Sequence, residues 1–302
     1  MLGNRVAKTH KKLAPAFERR NVGAFRLYDR DIPEIRAVVD WYEGHLVVGE
    51  YARQLTDAAP EWLPAMGAAC AKALKLPDDR VHLRRRRTRP QEGQRYERLE
   101  QRGARIEVRE GALKYLVNLD DFLDVGLFCD HRETRLLVSK ECAGKSFLNL
   151  YAYTGSFTCA AAKAGATRTT TVDASGIYLD WAHDNLKLNG LDGPMHERKQ
   201  VEAREFLKRI EGRVQFDVAF VDPPSFSSKG PDGGDFEVQR DHRKLIDETL
   251  AVLTPGGVLW FSTNHQRFEP ELEGLNATER TKDTVPVDYR NEQVHRVFRV
   301  VK

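Results

Sequence analysis

The sequence predicts an α/β protein in which a doubly wound parallel sheet follows a smaller α+β domain. Two observations carry this prediction. From about residue 126 onward, apolar strand-like runs alternate with helical segments, which is the pattern of a parallel sheet covered by helices. Before that point, short strand-like runs separated by turn residues accompany two helical stretches. We therefore expect two domains, at residues 1–125 and 126–302.

Length and composition fit two globular domains. The chain has 302 residues, of which 41% are hydrophobic and 31% charged, and it contains no repeat or low-complexity tract. The basic segment 1–12 is not followed by an apolar run, so we expect neither a signal peptide nor a membrane-spanning helix. The four cysteines are scattered, which suits a reducing cytoplasm.

No metal site is predicted, because the cysteines form no C-x-x-C pair and the nine histidines show no ligand spacing. The net charge of +3 is unevenly distributed. Residues 1–125 carry 24 Lys and Arg against 19 Asp and Glu, whereas the remainder is slightly acidic. The first domain is therefore the expected contact for a polyanion.

The first domain is expected to begin with a basic amphipathic helix over residues 4–20 that is interrupted or capped near Pro15. Its cations are compatible with RNA contact and equally with a solvated leading helix. The next three strand-like runs predict an antiparallel meander, and a helix and further strands follow it. The strands are expected at residues 25–28, 36–42, 45–51, 81–89, 105–109 and 114–118, and the helix at 60–75.

Arginine is in excess between residues 80 and 109, a segment that holds 11 Arg and 4 Glu. Arginine grips phosphate bidentately, so this segment predicts an RNA contact that weakens steeply with salt. Alternating arginines on an edge strand, which would prevent edge-to-edge pairing, are the other interpretation. The expected RNA contacts are Arg84, Arg85, Arg86, Arg87 and Arg89.

The second domain is expected to begin with a helix at residues 133–140. Its strands are predicted at 145–153, 168–173, 195–200, 216–221 and 258–264, and the helices that connect them at 154–164, 175–189, 203–210 and 236–253. A last pair of strands, at 281–285 and 294–301, is predicted to close the domain as a hairpin.

The first strand of this sheet is followed by candidate ligand-binding residues, because doubly wound sheets bind ligands outside the carboxyl ends of the strands beside the switch point. These residues are Tyr151, Tyr153, Thr154 and Gly155. Only one glycine is present, and the Walker lysine is absent, which argues against a pyrophosphate-binding G-x-G-x-x-G or P-loop motif.

Two acidic residues follow the next strands. Asp173 ends the second strand, where a carboxylate can accept both hydroxyls of a ribose; capping of the following helix is the other interpretation. Glu202 follows the third strand, and it is interpreted either as the acceptor of an adenine amino group or as a first-turn helix acid.

The fourth strand runs into Asp222-Pro-Pro-Ser-Phe226. The two prolines fix φ and remove two backbone donors, so the carbonyls there face a ligand and Phe226 projects as an aromatic plate. Such a loop favours a flat, polar base as its ligand. A stiff turn with a buried phenylalanine is the alternative.

Six motifs of the chain belong together: Asp130-His-Arg132, Asn149-Leu-Tyr-Ala-Tyr-Thr-Gly-Ser-Phe157, Thr171-Val-Asp-Ala-Ser175, Asp184-Asn-Leu-Lys-Leu-Asn-Gly190, Asp222-Pro-Pro-Ser-Phe226 and Gln239-Arg-Asp-His242. Taken jointly, they resemble the 23S ribosomal RNA large-subunit methyltransferases, and in particular the guanine-N7 methylating, RlmK-type half of the bifunctional RlmKL enzymes. The similarity extends over nearly the whole chain.

The resemblance implies a Rossmann-like class I methyltransferase domain that binds S-adenosylmethionine and acts on 23S ribosomal RNA or a large-subunit assembly intermediate. Asn149 and residues 151–155 would line the methionine end, and Asp173 and Glu202 would bind the ribose and the adenine. The family more often has Asp at the position of Glu202. His131 and Arg132 would cover the ligand. The catalytic loop would comprise Asp222, Pro223 and Phe226, with Asp222 also in the cofactor site, near both the sulfonium and the target base.

The family's RNA-capturing THUMP domain and guanine-N2 methylating half have no counterpart in the sequence. Target selection is therefore expected to rest on the first domain or on partners.

Guanine N7 carries no proton, so its methylation requires alignment and exclusion of water rather than a general base. Asp222 is then expected to orient the base or act electrostatically, while Phe226 stacks on it. Cytosine-C5 methylation would need a cysteine thiolate, which the loops after the fourth and fifth strands lack. Guanine-N2 methylation and a non-catalytic RNA-binding assembly factor remain open; an NAD-dependent oxidoreductase shares only the Asp173 argument.

Overall fold

The computed structural model describes residues 1–52, 59–87, 104–122, 124–228 and 234–302, without the side chains of residues 51, 52, 86 and 87. The described chain divides into two compact units. The N-terminal unit comprises Met1–Cys129 together with Val287–Arg290, and the C-terminal unit comprises Asp130–Pro286 and Asn291–Lys302. The inclusion of residues 287–290 in the first unit was not predicted.

The N-terminal unit is built on a sheet with the strand order β1-β2-β3-β4, beside a ribbon of β5 and β6. The first three strands pair antiparallel, which confirms the predicted meander, whereas β4 pairs parallel to β3 and forms an edge. The elements are α1 (Leu2–Arg19), β1 (Ala24–Asp29), β2 (Ala37–Tyr42), β3 (His45–Ala52), α2 (Trp62–Leu74), β4 (Val81–Arg87), β5 (Ile106–Glu110) and β6 (Leu113–Val117).

The interruption predicted in the first helix is wrong, because α1 continues through Pro15 to Arg19. Proline removes one hydrogen bond of a helix, so other contacts must hold the segment together. Val6 and Phe17 lie on either side of Pro15 and are buried in the same apolar core. Packing of the apolar face therefore outweighs the local preference of proline.

The C-terminal unit contains a mostly parallel sheet with the strand order β14-β15-β13-β10-β7-β8-β9, which confirms the doubly wound α/β fold. Its elements are α3 (Arg132–Ser139), β7 (Ser146–Leu150), α4 (Ser156–Lys163), β8 (Arg168–Asp173), α5 (Gly176–Leu188), β9 (His196–Gln200), α6 (Ala203–Ile210), β10 (Phe216–Val221), β11 (Phe226–Ser227), β12 (Phe236–Glu237), α7 (Val238–Ala251), β13 (Leu253–Thr263), β14 (Asn276–Glu279), α8 (Thr281–Thr284) and β15 (Arg296–Val301).

The first strand of this sheet, β7, lies at its centre and is buried along its whole length. Its neighbours are β8 on one side and β10 on the other, both parallel to it. The strand order therefore reverses beside β7, which is the switch point at which such sheets bind ligands. Strands β14 and β15 extend the sheet antiparallel from β13.

The predicted strand at residues 281–285 is wrong, because this segment forms the helical turn α8. Local hydrogen bonds explain the difference. The Thr284 hydroxyl donates to the Thr281 carbonyl, and the Thr281 hydroxyl accepts from the backbone of Val297. Threonines that bond to nearby backbone favour turns over strands. The strand that pairs with β15 is instead β14.

Among the residues that the structure describes, no helix is both long enough and apolar enough to cross a membrane.

Candidate active site

The carboxyl ends of the parallel strands meet at one edge of the C-terminal sheet. In register, Leu150 lies between Val172 of β8 and Val221 of β10, and Val221 pairs onward with Phe261 of β13. Asp173 pairs with Gln200 of β9. The segments that follow these strands therefore share the edge, and most of the predicted ligand-binding residues lie there.

The loop after β7 has an unusual backbone. Tyr151, Tyr153 and Gly155 have φ angles of 53°, 51° and 72°, so three of five consecutive residues are left-handed. The backbone of Tyr153 donates to Asp173 at 2.8 Å, and that of Ala152 to the Val172 carbonyl at 3.0 Å. These bonds fix the loop against β8 and turn the chain into α4, at whose N-cap Gly155 stands.

Gly155→Ala should destabilise the protein by roughly 2–4 kcal/mol, because two costs combine. A Cβ at Gly155 would lie 2.7 Å from the Cβ of Ala182, and the φ of 72° strains any other residue. Gly190→Ala is the matched control: its φ is 66°, but no atom lies within 4 Å of the added Cβ, so it should cost only about 1–2 kcal/mol. Urea denaturation of both variants measures the difference, and equal losses would contradict the role of the close approach.

Asp173 occupies the end of β8 with both carboxylate oxygens engaged. Oδ2 accepts from the backbone of Tyr153 and Oδ1 from that of Ser175, each at 2.8 Å. Burial raises the pKa of Asp173 to about 6, against the opposing effect of these two hydrogen bonds. The cap of α5 is Ser175, whose side chain accepts from Tyr178, so the interpretation of Asp173 as the helix cap is wrong.

Glu202 caps α6, since its Oε2 accepts from the backbone of Glu205 at 2.9 Å. Its Oε1 accepts a long hydrogen bond of 3.4 Å from the Tyr151 hydroxyl. The structure thus gives Glu202 a role at the start of a helix, as the alternative interpretation expected, and its contact with adenine stays a prediction.

Asn149 and Thr154 face the interior of the unit. The Asn149 amide donates to the Thr158 hydroxyl at 3.0 Å, and that hydroxyl lies 2.8 Å from the hydroxyl of Thr171. The Thr154 carbonyl accepts from Asn185 at 2.9 Å. Both residues are buried and support the loop after β7 from within.

The loop after β10 presents an exposed aromatic ring. Phe226 is 53% exposed although β11 pairs it with Glu237 of β12, so a stiff turn with a buried phenylalanine is not what forms. Pro223 is buried at its base. The Ser225 hydroxyl donates to Asn264 at 3.0 Å, and its carbonyl accepts from Val238 at 3.1 Å. The backbone that carries the ring is therefore held by its pairing with β12 and by the contacts of Ser225.

Asp222 lies at the start of this loop with its side chain 26% exposed. Burial raises the pKa of Asp222 to about 6; the Ser262 hydroxyl lowers it and Asp130 raises it further. The Nε2 atom of His131 lies 3.6 Å from Oδ2 of Asp222. The Asp222 carboxylate is thus partly buried and lies beside an imidazole, and its pKa is about 6.

His131 belongs to a buried histidine pair that the sequence did not predict. Its ring stacks on that of His295, with centroids 4.4 Å apart and an interplanar angle of 10°. Burial, and then His295, lower the pKa of His131 to about 3, so its ring is neutral. His295 lies 3.0 Å from the Thr284 hydroxyl and 3.5 Å from the Asp130 carboxylate.

Within the described ranges, Asp130, His131 and His295 are the group whose potential metal-ligating atoms lie within 4.8 Å of one another. The two rings are nearly parallel, so the in-plane lone pairs of their nitrogens point along separate planes rather than toward one ion. This arrangement favours a hydrogen-bonded role, and the expectation that no metal is bound stays a prediction.

Two of the arginines predicted to contact RNA bond to other groups of the protein. Arg84 is buried, and its guanidinium donates to the carbonyls of Leu119, Phe122 and Asn118. This burial disagrees with a phosphate contact by Arg84. Arg85 pairs with Glu50 and donates to the Pro60 carbonyl. The Arg86 and Arg87 side chains and all of Arg89 lie outside the described residues.

Comparison with known proteins identifies a family that the chain matches. A family model for S-adenosylmethionine-dependent methyltransferases matches residues 24–295. The ribosomal RNA large subunit methyltransferase K/L of Allochromatium vinosum is 41% identical over 98% of this chain and 41% of its own length. The protein of that name from Pseudomonas putida strain GB-1 is 43% identical over 99% and 42%. The chain thus spans about two fifths of these curated relatives.

A solved structure shares the fold. SMU.776, crystallised in complex with SAH, aligns with a TM-score of 0.77 at 23% identity, covering 100% of this chain and 80% of that one.

Proposed function

The chain belongs to the S-adenosylmethionine-dependent methyltransferases, and from that premise we propose that it methylates a ring nitrogen, N7, of a guanine in 23S ribosomal RNA. The observation that carries the proposal is the exposed ring of Phe226 on the same short loop as the partly buried carboxylate of Asp222. The name of the curated relatives supports large-subunit RNA as the substrate, and with it a cytoplasmic site of action.

The residues at the sheet edge fit the nucleoside of S-adenosylmethionine, which supplies an electrophilic methyl group when bound. Each oxygen of Asp173 accepts one backbone hydrogen bond and keeps acceptor capacity for a ribose hydroxyl. The positive φ angles of Tyr151 and Tyr153 turn the chain sharply at the switch point, where such sheets bind ligands. We assign the methionine end to this loop.

Asp222 would act through its charge. Guanine N7 already offers a lone pair, and its methylation makes the base cationic, so positive charge passes from the sulfur to the base. A carboxylate near the sulfur but closer to the base would stabilise the charge that arrives on the base more than the charge that leaves the sulfur, and it would do so more strongly in a partly buried site than in water. His131 is neutral and lies 3.6 Å away, so it can orient Asp222 without cancelling its charge.

Cytosine-C5 methylation is disfavoured by the state of the cysteines. It needs an accessible thiolate, yet all four cysteines are buried. Burial raises the pKa of Cys142 and Cys159 to about 12 and that of Cys70 to about 11. These thiols are protonated and enclosed, which supports transfer to nitrogen instead.

Guanine-N2 methylation is the second candidate, and one observation favours it. An exocyclic amine must lose a proton, and the pKa of Asp222, near 6, suits a proton acceptor that works close to neutral pH. The decisive experiment incubates the full chain with S-adenosylmethionine and large-subunit RNA and identifies the product by nucleoside mass spectrometry and aniline cleavage. N7-methylguanosine supports the proposal, and N2-methylguanosine replaces it with the second candidate.

A non-catalytic RNA-binding assembly factor would give a different result. Such a protein would bind the RNA yet yield no methylated nucleoside in the same incubation. Calorimetry with S-adenosylmethionine provides the independent check that the purified chain has its cofactor site.

Phe226→Leu should weaken use of the RNA by roughly 5- to 150-fold in kcat/KM, the equivalent of about 1–3 kcal/mol for one lost stacking contact. Since the ring is 53% exposed, the substitution should leave the unfolding midpoint nearly unchanged. Met195→Ala is the control, because Met195 is 54% exposed and precedes β9 at the opposite edge of the sheet. Equal kcat/KM values for the two variants would show that Phe226 does not contact the RNA base.

A further inference from the structure

A cavity of about 370 Å³ in the N-terminal unit has no part in the function proposed above. It lies between α1, the strands β1 and β2, and the turn that joins β2 to β3, with β5 at one end. The residues that give it its chemistry are His10, Glu18, Phe25, Trp41, Glu43 and Arg109.

One side of the cavity is aromatic. The rings of His10 and Trp41 are 4.5 Å apart, and Phe25 lies behind them, 6.1 Å and 6.3 Å away. Phe25 is buried, whereas His10 and Trp41 are half-buried and keep part of their faces open to the cavity. Burial lowers the pKa of His10, which keeps that ring neutral at pH 7. Trp41 thus offers an uncharged aromatic face on which a planar ligand can stack, with the His10 ring tilted by 54° beside it.

The other side of the cavity is acidic. The Arg109 guanidinium lies between two carboxylates, with Nη1 3.0 Å from Glu18 and Nε 2.8 Å from Glu43. Arg109 donates to both oxygens of each carboxylate, yet one cation against two anions leaves an excess negative charge, and each oxygen of Glu18 keeps one lone pair for a ligand. The Glu18 side chain is 67% exposed, so a ligand can reach it. The cavity therefore suits a flat group that donates N–H bonds, and it repels a phosphate.

The outer face of α1 has the opposite charge. At 100° per residue, Arg5, Lys8, Lys12 and Arg19 fall within about 60° of one another on the helix, and all four are exposed. Arg5 pairs with Asp31, while the other three form no ion pair with any residue in the described part of the chain. We call these four residues the cationic stripe. It runs along the same helix that lines the cavity.

We infer that the cavity binds one unpaired guanine of the RNA, while the cationic stripe contacts the flanking phosphates. Guanine is the RNA base that presents two adjacent N–H donors, N1 and N2, along one edge, which matches a carboxylate with acceptor capacity on two oxygens. Its purine ring also gives a larger stacking surface for Trp41 than a pyrimidine does. The inference rests on the proposed function in that the substrate is RNA.

The test measures fluorescence anisotropy of the full chain with labelled oligouridines that carry a central guanosine, adenosine or abasic site. The guanosine probe should bind most tightly and the abasic probe least. Trp41→Leu should raise the Kd of the guanosine probe roughly 5- to 150-fold and abolish its advantage over the abasic probe. Trp62→Leu replaces another half-buried tryptophan of the same unit outside the cavity and should keep that advantage.

Two milder variants keep the test decisive if Trp41→Leu folds poorly. Glu18→Gln should reduce the preference for guanosine over adenosine, because the exposed amide no longer offers two acceptor oxygens. Lys12→Gln should weaken all three probes by the same factor and lower the slope of log Kd against log salt by about 1. Equal binding of guanosine and abasic probes by the unaltered protein would overturn the inference, as would equal losses in the two tryptophan variants.

The outcome is separable from that of the proposed function. Calorimetry with S-adenosylmethionine and methyl transfer to large-subunit RNA are measured on the same preparations. A protein that methylates RNA but shows no guanosine preference refutes the cavity alone. A protein that prefers the guanosine probe but methylates nothing refutes the proposed function and leaves the cavity standing.

Discussion

Asp222→Asn is expected to lower kcat for methyl transfer about 100-fold or more while changing the Kd for S-adenosylmethionine only a few-fold. The amide keeps the size of the side chain but removes the charge that stabilises the cation forming on the base, and such groups commonly contribute about 2–3 orders of magnitude. Single-turnover transfer to RNA measures the rate, and calorimetry measures the affinity. Full activity of the variant would contradict an electrostatic role.

The same substitution should stabilise the fold at neutral pH. Burial raises the pKa of Asp222 from 3.8 to about 6, so the folded protein binds this proton more tightly than the unfolded chain does. Ionisation therefore opposes folding progressively as pH rises from about 4 to 6, and the full cost persists above that range. Asp222→Asn removes a cost of about 3 kcal/mol at pH 7.5 and gains nothing at pH 3.

A carboxylate of opposite behaviour provides the control. Hydrogen bonds from Ser146 and Thr254 hold the pKa of Asp217 below its usual value in spite of partial burial. Its charge therefore supports folding, and Asp217→Asn should lower the free energy of unfolding at pH 7.5. Urea denaturation at pH 3 and pH 7.5 distinguishes the two signs. A loss of stability in both variants at pH 7.5 would show that the charge of Asp222 does not oppose folding.

The ionisation of Asp222 should also affect how the reaction rate depends on pH. The rate of the unaltered protein should rise as Asp222 ionises around pH 6, and the low residual rate of Asp222→Asn should lack that limb.

The inner strands of the central sheet could be predicted because they are buried on both faces. Continuous apolar runs such as β10 are typical of strands in a parallel sheet that is covered by helices. The errors arose where local and tertiary preferences conflict. Pro15 predicted a break that core packing overrides, and the β-branched residues of α8 predicted a strand that threonine hydrogen bonds replace with a turn.

The part of the site that could not be predicted is formed by residues distant in sequence. His131 and His295 stack on each other although 164 positions separate them, and no motif or spacing around His295 marks it. Arg84 shows the reverse. A run of arginines indicated a surface contact, yet in the folded protein Arg84 is buried and donates to three backbone carbonyls. A motif identifies residue types, but only the packing decides which of them face a ligand.

Their position suggests what the histidines contribute. His131 lies between Asp222 and His295, and His295 lies beside Asp130 and Thr284. Because burial keeps His131 neutral, its ring packs beside the Asp222 carboxylate without pairing its charge. In the proposed function, the exposed Phe226 and Asp222 would form one side of the base site.

Asp173→Asn should raise the Kd for S-adenosylmethionine about 100-fold. Hydrogen bonds to a charged group are worth about 1.5–3 kcal/mol each, and the substitution removes the charge and one of two acceptors from the ribose hydroxyls. With a pKa of about 6, Asp173 is ionised at pH 7.5, so calorimetry at that pH measures the full effect. The asparagine still accepts one backbone bond, which limits disturbance of the loop at Tyr153.

Glu202→Gln is the matched comparison, because it too exchanges a carboxylate for an amide at the sheet edge. Glutamine keeps an acceptor for the backbone of Glu205 and for an adenine amino group, so its Kd should rise less than about 5-fold. A large loss at Asp173 with a small one at Glu202 would place the ribose at the end of β8 and leave the adenine dependent on other contacts. Equal affinity of Asp173→Asn and the unaltered protein would instead move the nucleoside away from β8, and with it the argument that Asp222 lies near the reacting sulfur.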